Sequence, residues 1–414
     1  MVAYSYNSDL TAGEIKSLLK INYAKDFFSD ILFKNQPLMG LINKEAIAGK
    51  AHVQPVQFAG ARNISADYAV ARDGRSQSKA VDFTVPTKDI FASFHVGHKA
   101  AIAAKSAGVD SYINAIVNEV GLALGEFTRD QSAMLYRSAN GSRGRVGTIV
   151  GNVIKLSERL DIVHFGVGHL IEAAAAIVSG SKRTGAAVIT KINARTGEFT
   201  LDDATNISSL AAGDYLYGAG DRNARFNGIL DWIPTYAMRV AGVLDTSFLG
   251  VDRTVDEVSL AGIAVDGSSM SFEECLQLAE TEISVLQQTP DTLFINPSDW
   301  RKFCVELSSK ETIEKGVKGN GAMACTVGYD VIQVAGLSSK IIKDASVPVG
   351  SAFLLDMDTW ALKHMGDSVI NDWTMDSLEL VRHADNGVEG QMYTYGNLVC
   401  TNPKANCVIT LPSV

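Results

Sequence analysis

The apolar positions of this chain change period several times, and each change marks an element. Residues 14–32 repeat at helical spacing, with Ile15, Leu18, Leu19 and Tyr23 on one stripe and Lys16, Lys20 and Lys25 off it; Pro37 and Gly40 stop the pattern. Such a helix is either a lid over a core or an arm for a neighbouring subunit. From 51 to 99 the period drops to two. Val53 and Phe58 precede a polar middle, and Val81, Phe83 and Val85 alternate with Asp82 and Thr84 after it. Asp73-Gly74 supplies turn chemistry between the two runs, predicting a long hairpin whose basic, polar tip carries Arg62, Arg72, Arg75 and Lys79. Two strands alone are marginal in water, so the hairpin is expected to rest on another chain.

Helical spacing returns over 110–137, where Ile113, Ile116, Val117, Val120, Leu124, Phe127, Met134 and Leu135 recur without a proline. Asp110 can cap the start, Asn140-Gly141 follows the end, and the length, about 40 Å at about 1.5 Å per residue, suits a spine. Residues 144–220 are separate in composition, rich in Gly, Val, Ile and Ala, with short alternating runs and a hairpin signal at Thr196-Gly197. They predict a small β-barrel or sandwich inserted into a host fold, with "IEAAAAIVSG" (171–180) as a helix inside it. Further on, Ser271 and Glu274 have capping-box spacing before a helix to about 288, with Phe272, Leu276, Ala279, Ile283 and Leu286 on one side. A buried strand over 292–295 then meets Pro297, which suits a helix start, with Asp299 at its positive end and Trp300 and Phe303 on one face.

At 414 residues the chain is long enough for two or three compact units. Its 46% hydrophobic and 20% charged content is that of an ordered globular protein. The net charge of −9 argues against sequence-specific grip on nucleic acid. Five cysteines, Cys275, Cys304, Cys325, Cys400 and Cys407, form no CxxC pair and read as reduced thiols packed as small hydrophobes. No basic start leads into an apolar run and no stretch of about 18 apolar residues occurs, so neither secretion nor membrane crossing is expected.

The search for chemistry finds no G-x-S-x-G elbow, H-E-x-x-H, Walker loop or EF-hand loop. "GNGAMA" (319–324) follows a charged stretch rather than an apolar strand and reads as a flexible loop. His95 and His98 fall on opposite faces if they end a strand, His164 and His169 are five apart, and neither pair has a ligand cluster beside it, so no metal and no cofactor are expected. Asp356 and Asp358 alternate along an expected strand and read as solvent-facing acids. The basic hairpin tip, which also holds Asp67 and Asp73, suits protein contacts better than phosphate.

The order of parts, an arm, a projecting hairpin, a spine helix, a mixed α/β region and a strand-rich tail, resembles the major capsid protein of tailed bacteriophages, the Hong Kong 97-type shell fold. Local stretches are similar to it in the same order: "FNGILDWIP" (226–234), "PDTLFINPSDWRKF" (290–303), "PVGSAFLLDMDTWALKHMGD" (348–367) and, as the closing strand of the peripheral domain, "YGNLVCTNPKANCVITL" (395–411). The resemblance implies an α+β Hong Kong 97-like capsid fold with a small all-β insertion: an amino-terminal arm over 1–50, an extended loop over 51–99, a peripheral domain from 100–143 and 366–414, an inserted domain over 144–223 and an axial domain over 224–365. It implies a structural protein, not an enzyme, that assembles with itself into pentamers and hexamers of an icosahedral virion shell in the host cytoplasm. Portal, scaffolding and decoration proteins and non-specifically held DNA would be its partners, with no membrane. Arg62, Arg72, Asp73, Gly74, Arg75 and Lys79 become the candidate inter-subunit contacts. Relatives with a removable scaffolding segment imply that this chain is either processed or uses a separate scaffold, and no covalent Lys–Asn cross-link can be assigned. Two rivals stand beside this reading: an encapsulin-like nanocompartment shell, and a hydrolase using Asp299 or the His95 and His98 pair.

Overall fold

A computed structural model describes residues 36–60, 64–74, 77–97, 109–177, 181–310, 340–366, 369, 371–372, 381–383 and 387–412. The expected helix over 14–32 lies outside them. The chain divides into two compact units: the first gathers described residues of Met1–Gln54, Thr84–Asp231 and Trp360–Val399, the second those of Pro55–Phe83, Trp232–Thr359 and Cys400–Val414.

The first unit is organised by the strand Gly387–Cys400. Lys88–Gly97 runs antiparallel to it, from Lys88 opposite Gly396 to Gly97 opposite Gly387. On the same six-stranded sheet lie Trp360–His364, with Asn43–Ala46 parallel to it, and the short strands Asn371–Asp372 and Val381–His383. Lys88–Gly97 lies inside the 51–99 stretch expected as one extended loop. Pro86, which has no N–H to donate, ends the ribbon strand Lys79–Pro86, and the apolar run that follows pairs elsewhere. The ribbon itself is the two-stranded sheet of Ala51–Ala59 and Lys79–Pro86.

The helix predicted over 110–137 spans Val109–Tyr136 and packs on Lys88–Gly97. Leu124, Phe127, Met134 and Leu135, at helical spacing, are buried. Its last turn is met by the chain returning at Gly228. A Cβ there would run into the Arg137 carbonyl and stand 2.5 Å from that of Leu135 and 2.7 Å from that of Met134. Asn397, 1% exposed, ties the same place together: its Oδ1 accepts the Asn227 N–H at 2.8 Å and its Nδ2 donates to the Pro86 carbonyl at 2.8 Å.

Between the helix and this return sits a closed six-stranded barrel, in the order Tyr215–Gly218, Ser142–Val150, Val153–Leu156, Glu198–Leu201, Ala187–Asn193, Leu170–Ala174 and back to Tyr215–Gly218. It has its own core, in which Ile154, Ile171, Ile189 and Leu216 surround Phe165 stacked on Phe199 at 5.2 Å. Gly151 (φ +59) and Gly197 (φ +72) turn two of its hairpins in the left-handed region. The helix expected over 171–180 is instead, at its start, the strand Leu170–Ala174. Helix propensity there yields to ladder bonding on both sides, and the small Ala173 fits the barrel interior.

The second unit is a five-stranded sheet in the order Ile263–Asp266, Cys407–Thr410, Ser351–Leu355, Thr292–Ile295, Lys340–Lys343. The helices Phe272–Val285 and Pro297–Lys310 contribute to its core, where Cys275, Leu276, Ile283 and Phe303 join Leu293, Ile295, Leu354 and Ile409. The Ser271 and Glu274 capping box is present in both directions. The stretch 395–411, expected as one closing strand, divides: its beginning ends the strand Gly387–Cys400, and Cys407–Thr410 pairs with Ile263–Asp266 and Ser351–Leu355. Buried Asn406 sets the turn before that last strand, donating to Thr359 Oγ1 and the Asn402 carbonyl, each at 3.0 Å, and accepting the Asp356 N–H at 2.9 Å.

Replacing Gly228 by Ala is expected to destabilise the protein by about 2 kcal/mol or more, because the obstructing atoms are backbone. Urea unfolding of wild type and variant measures this, and an unchanged midpoint contradicts the tight approach.

Candidate assembly interface

The ribbon tip is a short helix, not a tight turn. Asp67 caps Tyr68–Asp73 by accepting the Ala69 N–H at 2.8 Å, and the Gly74 N–H closes it onto the Val70 carbonyl at 3.1 Å. Gly74 has φ −91, a conformation open to any residue, so its role differs from the turn glycine expected from the sequence. Arg72 and Asp73 form an exposed pair at 3.5 Å and Lys79 is exposed at the start of the second strand. Arg62 and Arg75 lie outside the described residues.

What the charge pattern hid is apolar. Ile64 is 94% exposed and Tyr68 79%, with Val70 also exposed, and no residue of the tip helix is buried. With none of its residues buried, this six-residue helix draws little of the tertiary support that short helices need. Both features suit a surface completed by another molecule. The root of the ribbon is the opposite. Phe83, fully buried, packs its ring tilted against Trp232 at 5.1 Å and edge-on to Phe248 at 6.1 Å, and the Arg253 guanidinium lies 4.3 Å above Phe248 while donating to the Trp232 carbonyl.

The residues suspected of chemistry have structural work. Asp299 is fully buried in the first turn of its helix, accepts the Gly350 N–H at 2.7 Å and pairs with Lys302 at 3.2 Å. Asp356 and Asp358 do not alternate along one strand: Met357–Thr359 is a 3-10 turn, and Asp356 accepts the Asp358 N–H at 3.2 Å. His95 lies on the strand Lys88–Gly97, opposite Glu389. His98 and 319–324 lie outside the described residues. Among the described residues no group of three or more His, Cys, Asp or Glu could hold a metal ion, and no helix is long and apolar enough to cross a membrane. Cys275, Cys400 and Cys407 are buried, and burial pushes the Cys275 and Cys400 thiols up to about 12, which keeps them unreactive.

His164 and His169, five apart in sequence, line one cleft of about 290 Å³ in the first unit. Behind it lies a ring of ion pairs. Arg143, near the start of the first barrel strand, meets Asp130 of the long helix at 2.6 Å and Asp221 at 2.9 Å; Arg225, on the return segment, meets the same two carboxylates at 2.7 and 2.8 Å. Burial alone would raise the Asp221 carboxyl, but Arg225 and Arg143 outweigh it and hold it below the usual carboxylate range. Burial, and then the charges of Arg137, Arg143 and Arg129, push the His164 imidazole well below its ordinary value, so it is neutral when folded.

No family model matches the sequence, and no curated protein matches it. Solved structures do. An α+β chain with a projecting ribbon, a long helix packed on a long strand, and a separate five-stranded sheet is the Hong Kong 97-type capsid fold, carrying here an inserted β domain. A chain of the cyanophage A-1(L) capsid aligns with a TM-score of 0.54 at 10% identity, covering 94% of this chain and 95% of that one. A chain of Mycobacterium phage Adephagia aligns at 0.43 and 10% identity over 98% and 99%, and the SrpI encapsulin of Synechococcus elongatus at 0.43 and 8% over 89% and 84%.

Two outcomes are expected. Asp299→Ala leaves the half-buried Gly350 N–H without its carboxylate acceptor and costs about 1–3 kcal/mol, whereas Asp299→Asn keeps an acceptor and costs less; thermal unfolding of both variants checks the order. For His164, the unfolded chain takes up a proton as pH falls below about 6.5 while the folded chain does not, so stability is full above that value and declines below it. The slope is at most about 1.4 kcal/mol per pH unit and should shrink in His164→Gln, as read by denaturant titration between about pH 5 and 7.

Proposed function

We propose that this chain is the major capsid protein of a tailed bacteriophage, building an icosahedral shell around DNA by association with copies of itself. The observation that carries the reading is alignment over nearly the whole length with a phage capsid chain at a TM-score above one half. The ribbon adds a physical reason. Its root is locked in aromatic packing while its tip exposes Ile64, Tyr68 and Val70, an arrangement that an isolated enzyme would not need and a shell subunit does. We read 51–87 as the extended loop, with Arg72, Asp73, Gly74 and Lys79 around the apolar contacts as its rim. The first unit, apart from the barrel, is the peripheral domain, and the second unit's sheet with Cys407–Thr410 the axial domain. The role is structural, and the place is the virion. Portal, scaffolding and decoration proteins are its natural partners, and DNA is enclosed by confinement, without base recognition.

Purified chain is expected to form closed, uniform particles in negative stain. Replacing Ile64 and Tyr68 together by Ser should leave the circular dichroism of the subunit intact while lowering assembly. Each lost apolar contact of about 1.5–3 kcal/mol raises the concentration needed for particles by roughly tenfold or more. A chain that stays monomeric at all concentrations, or a double variant that assembles like wild type, contradicts the reading.

A further inference from the structure

The chain carries an apolar knob and, elsewhere, an apolar hollow. Tyr68, on the ribbon tip, is 79% exposed, more than any other aromatic side chain among the described residues. Tyr68 and Arg72 are four apart on the helix Tyr68–Asp73 and so share a face, which ends in the exposed pair of Arg72 and Asp73. The hollow is the cleft beside the ion-pair ring. Its apolar wall is Phe91 and Ala92 of the strand Lys88–Gly97 with Ala123 and Phe127 of the long helix. Phe91 is 61% exposed although its ring stands edge-on to Tyr395 at 5.8 Å, so half-built aromatic packing faces solvent. The polar side of the cleft presents a second exposed ion pair, Glu126 with Arg129 at 2.5 Å, and exposed His169.

These two surfaces match. At about 290 Å³ the cleft exceeds the roughly 150 Å³ that suffices to take up a benzene ring. Its mixed lining calls for an occupant with an apolar body and a polar tip, and tyrosine is that side chain. The charges agree as well. When the surfaces meet, the two exposed pairs exchange partners, Arg72 against Glu126 and Asp73 against Arg129, and an exposed pair is worth too little by itself to resist the exchange. Tyr68 is exposed in the single chain, so the occupant comes from another copy. We propose that the cleft receives the ribbon tip of a second copy of this chain, whose tyrosine at position 68 seats against Phe91, Ala123 and Phe127. Knob and hollow lie on different parts of the chain, so the contact is head-to-tail and propagates into rings. This docking, which rests on the shell reading, gives the inserted barrel a part in assembly, because His164 and His169 of the insertion complete the cleft.

The test is charge reversal and its rescue in the intact purified chain, read by sedimentation velocity, with circular dichroism to confirm folding. Arg72→Glu and Glu126→Arg are each expected to raise the concentration needed for assembly about tenfold. The two together in one chain should restore it to within about threefold of wild type, because the exchanged pair is rebuilt with its signs inverted. Ala123→Trp, which fills the cleft, should impair assembly at least as much as either reversal. Phe91→Ser, at an exposed position, takes its place where the tryptophan prevents folding. Cleft variants that assemble like wild type, or a double reversal no better than the single ones, would overturn the docking while leaving the shell reading intact. A wild-type chain that stays monomeric at all concentrations overturns both.

Discussion

A ring of four largely buried charges governs how the first unit is joined. Asp130 belongs to the long helix, Arg143 to the first barrel strand, and Asp221 and Arg225 to the segment that leaves the barrel. Each carboxylate faces both guanidinium groups. Moving any one element would leave a buried charge uncompensated, a penalty larger than a single hydrogen bond could offset. Arg137, paired with Asp161 at 2.7 Å, adds a second tie between the helix end and the barrel. The arrangement fixes orientation more than it adds net stability, since a hydrophobic joint of the same volume would hold as well without specifying an angle.

The ribbon obeys a different constraint. Its root is packed by Phe83, Trp232 and Phe248, while no residue of its tip helix is buried. Rigidity at one end and incompleteness at the other make the ribbon a lever whose far end is defined by whatever it meets. In the shell proposed above, that partner would be a copy of the chain at high local concentration.

Local signals were legible in the sequence where they are sufficient by themselves. The capping box at Ser271 and Glu274, the strand Thr292–Ile295 with Pro297 after it, and the long helix followed from spacing alone, within one residue at each end for the helix. The inserted β domain was legible from composition, but its closure was not, because closure depends on pairing Leu170–Ala174 with Tyr215–Gly218 across about 40 residues. The alanines of that strand carry helical propensity and nothing local announces the override. The cleft was hidden for the same reason: His164 and His169 meet Arg129 and Arg225 only after the barrel has folded back on the helix. At the ribbon tip the charge pattern masks Ile64, Tyr68 and Val70, which the sequence shows as apolar residues in a polar stretch and the fold leaves exposed.

The barrel enters and leaves the host through neighbouring strands, with Tyr217 paired opposite Ser142, and it carries a complete core of its own. Such a cassette can be gained, lost or exchanged between related genes without disturbing the host's interior, provided the splice points respect the charges at its base. An exchange that keeps Arg143, Asp221 and Arg225 and swaps only what lies between the first and last barrel strands preserves the joint; one that removes the arginines strands Asp130. The splice positions that keep this joint whole are therefore a narrow pair, set by electrostatics rather than by the visible outline of the domain.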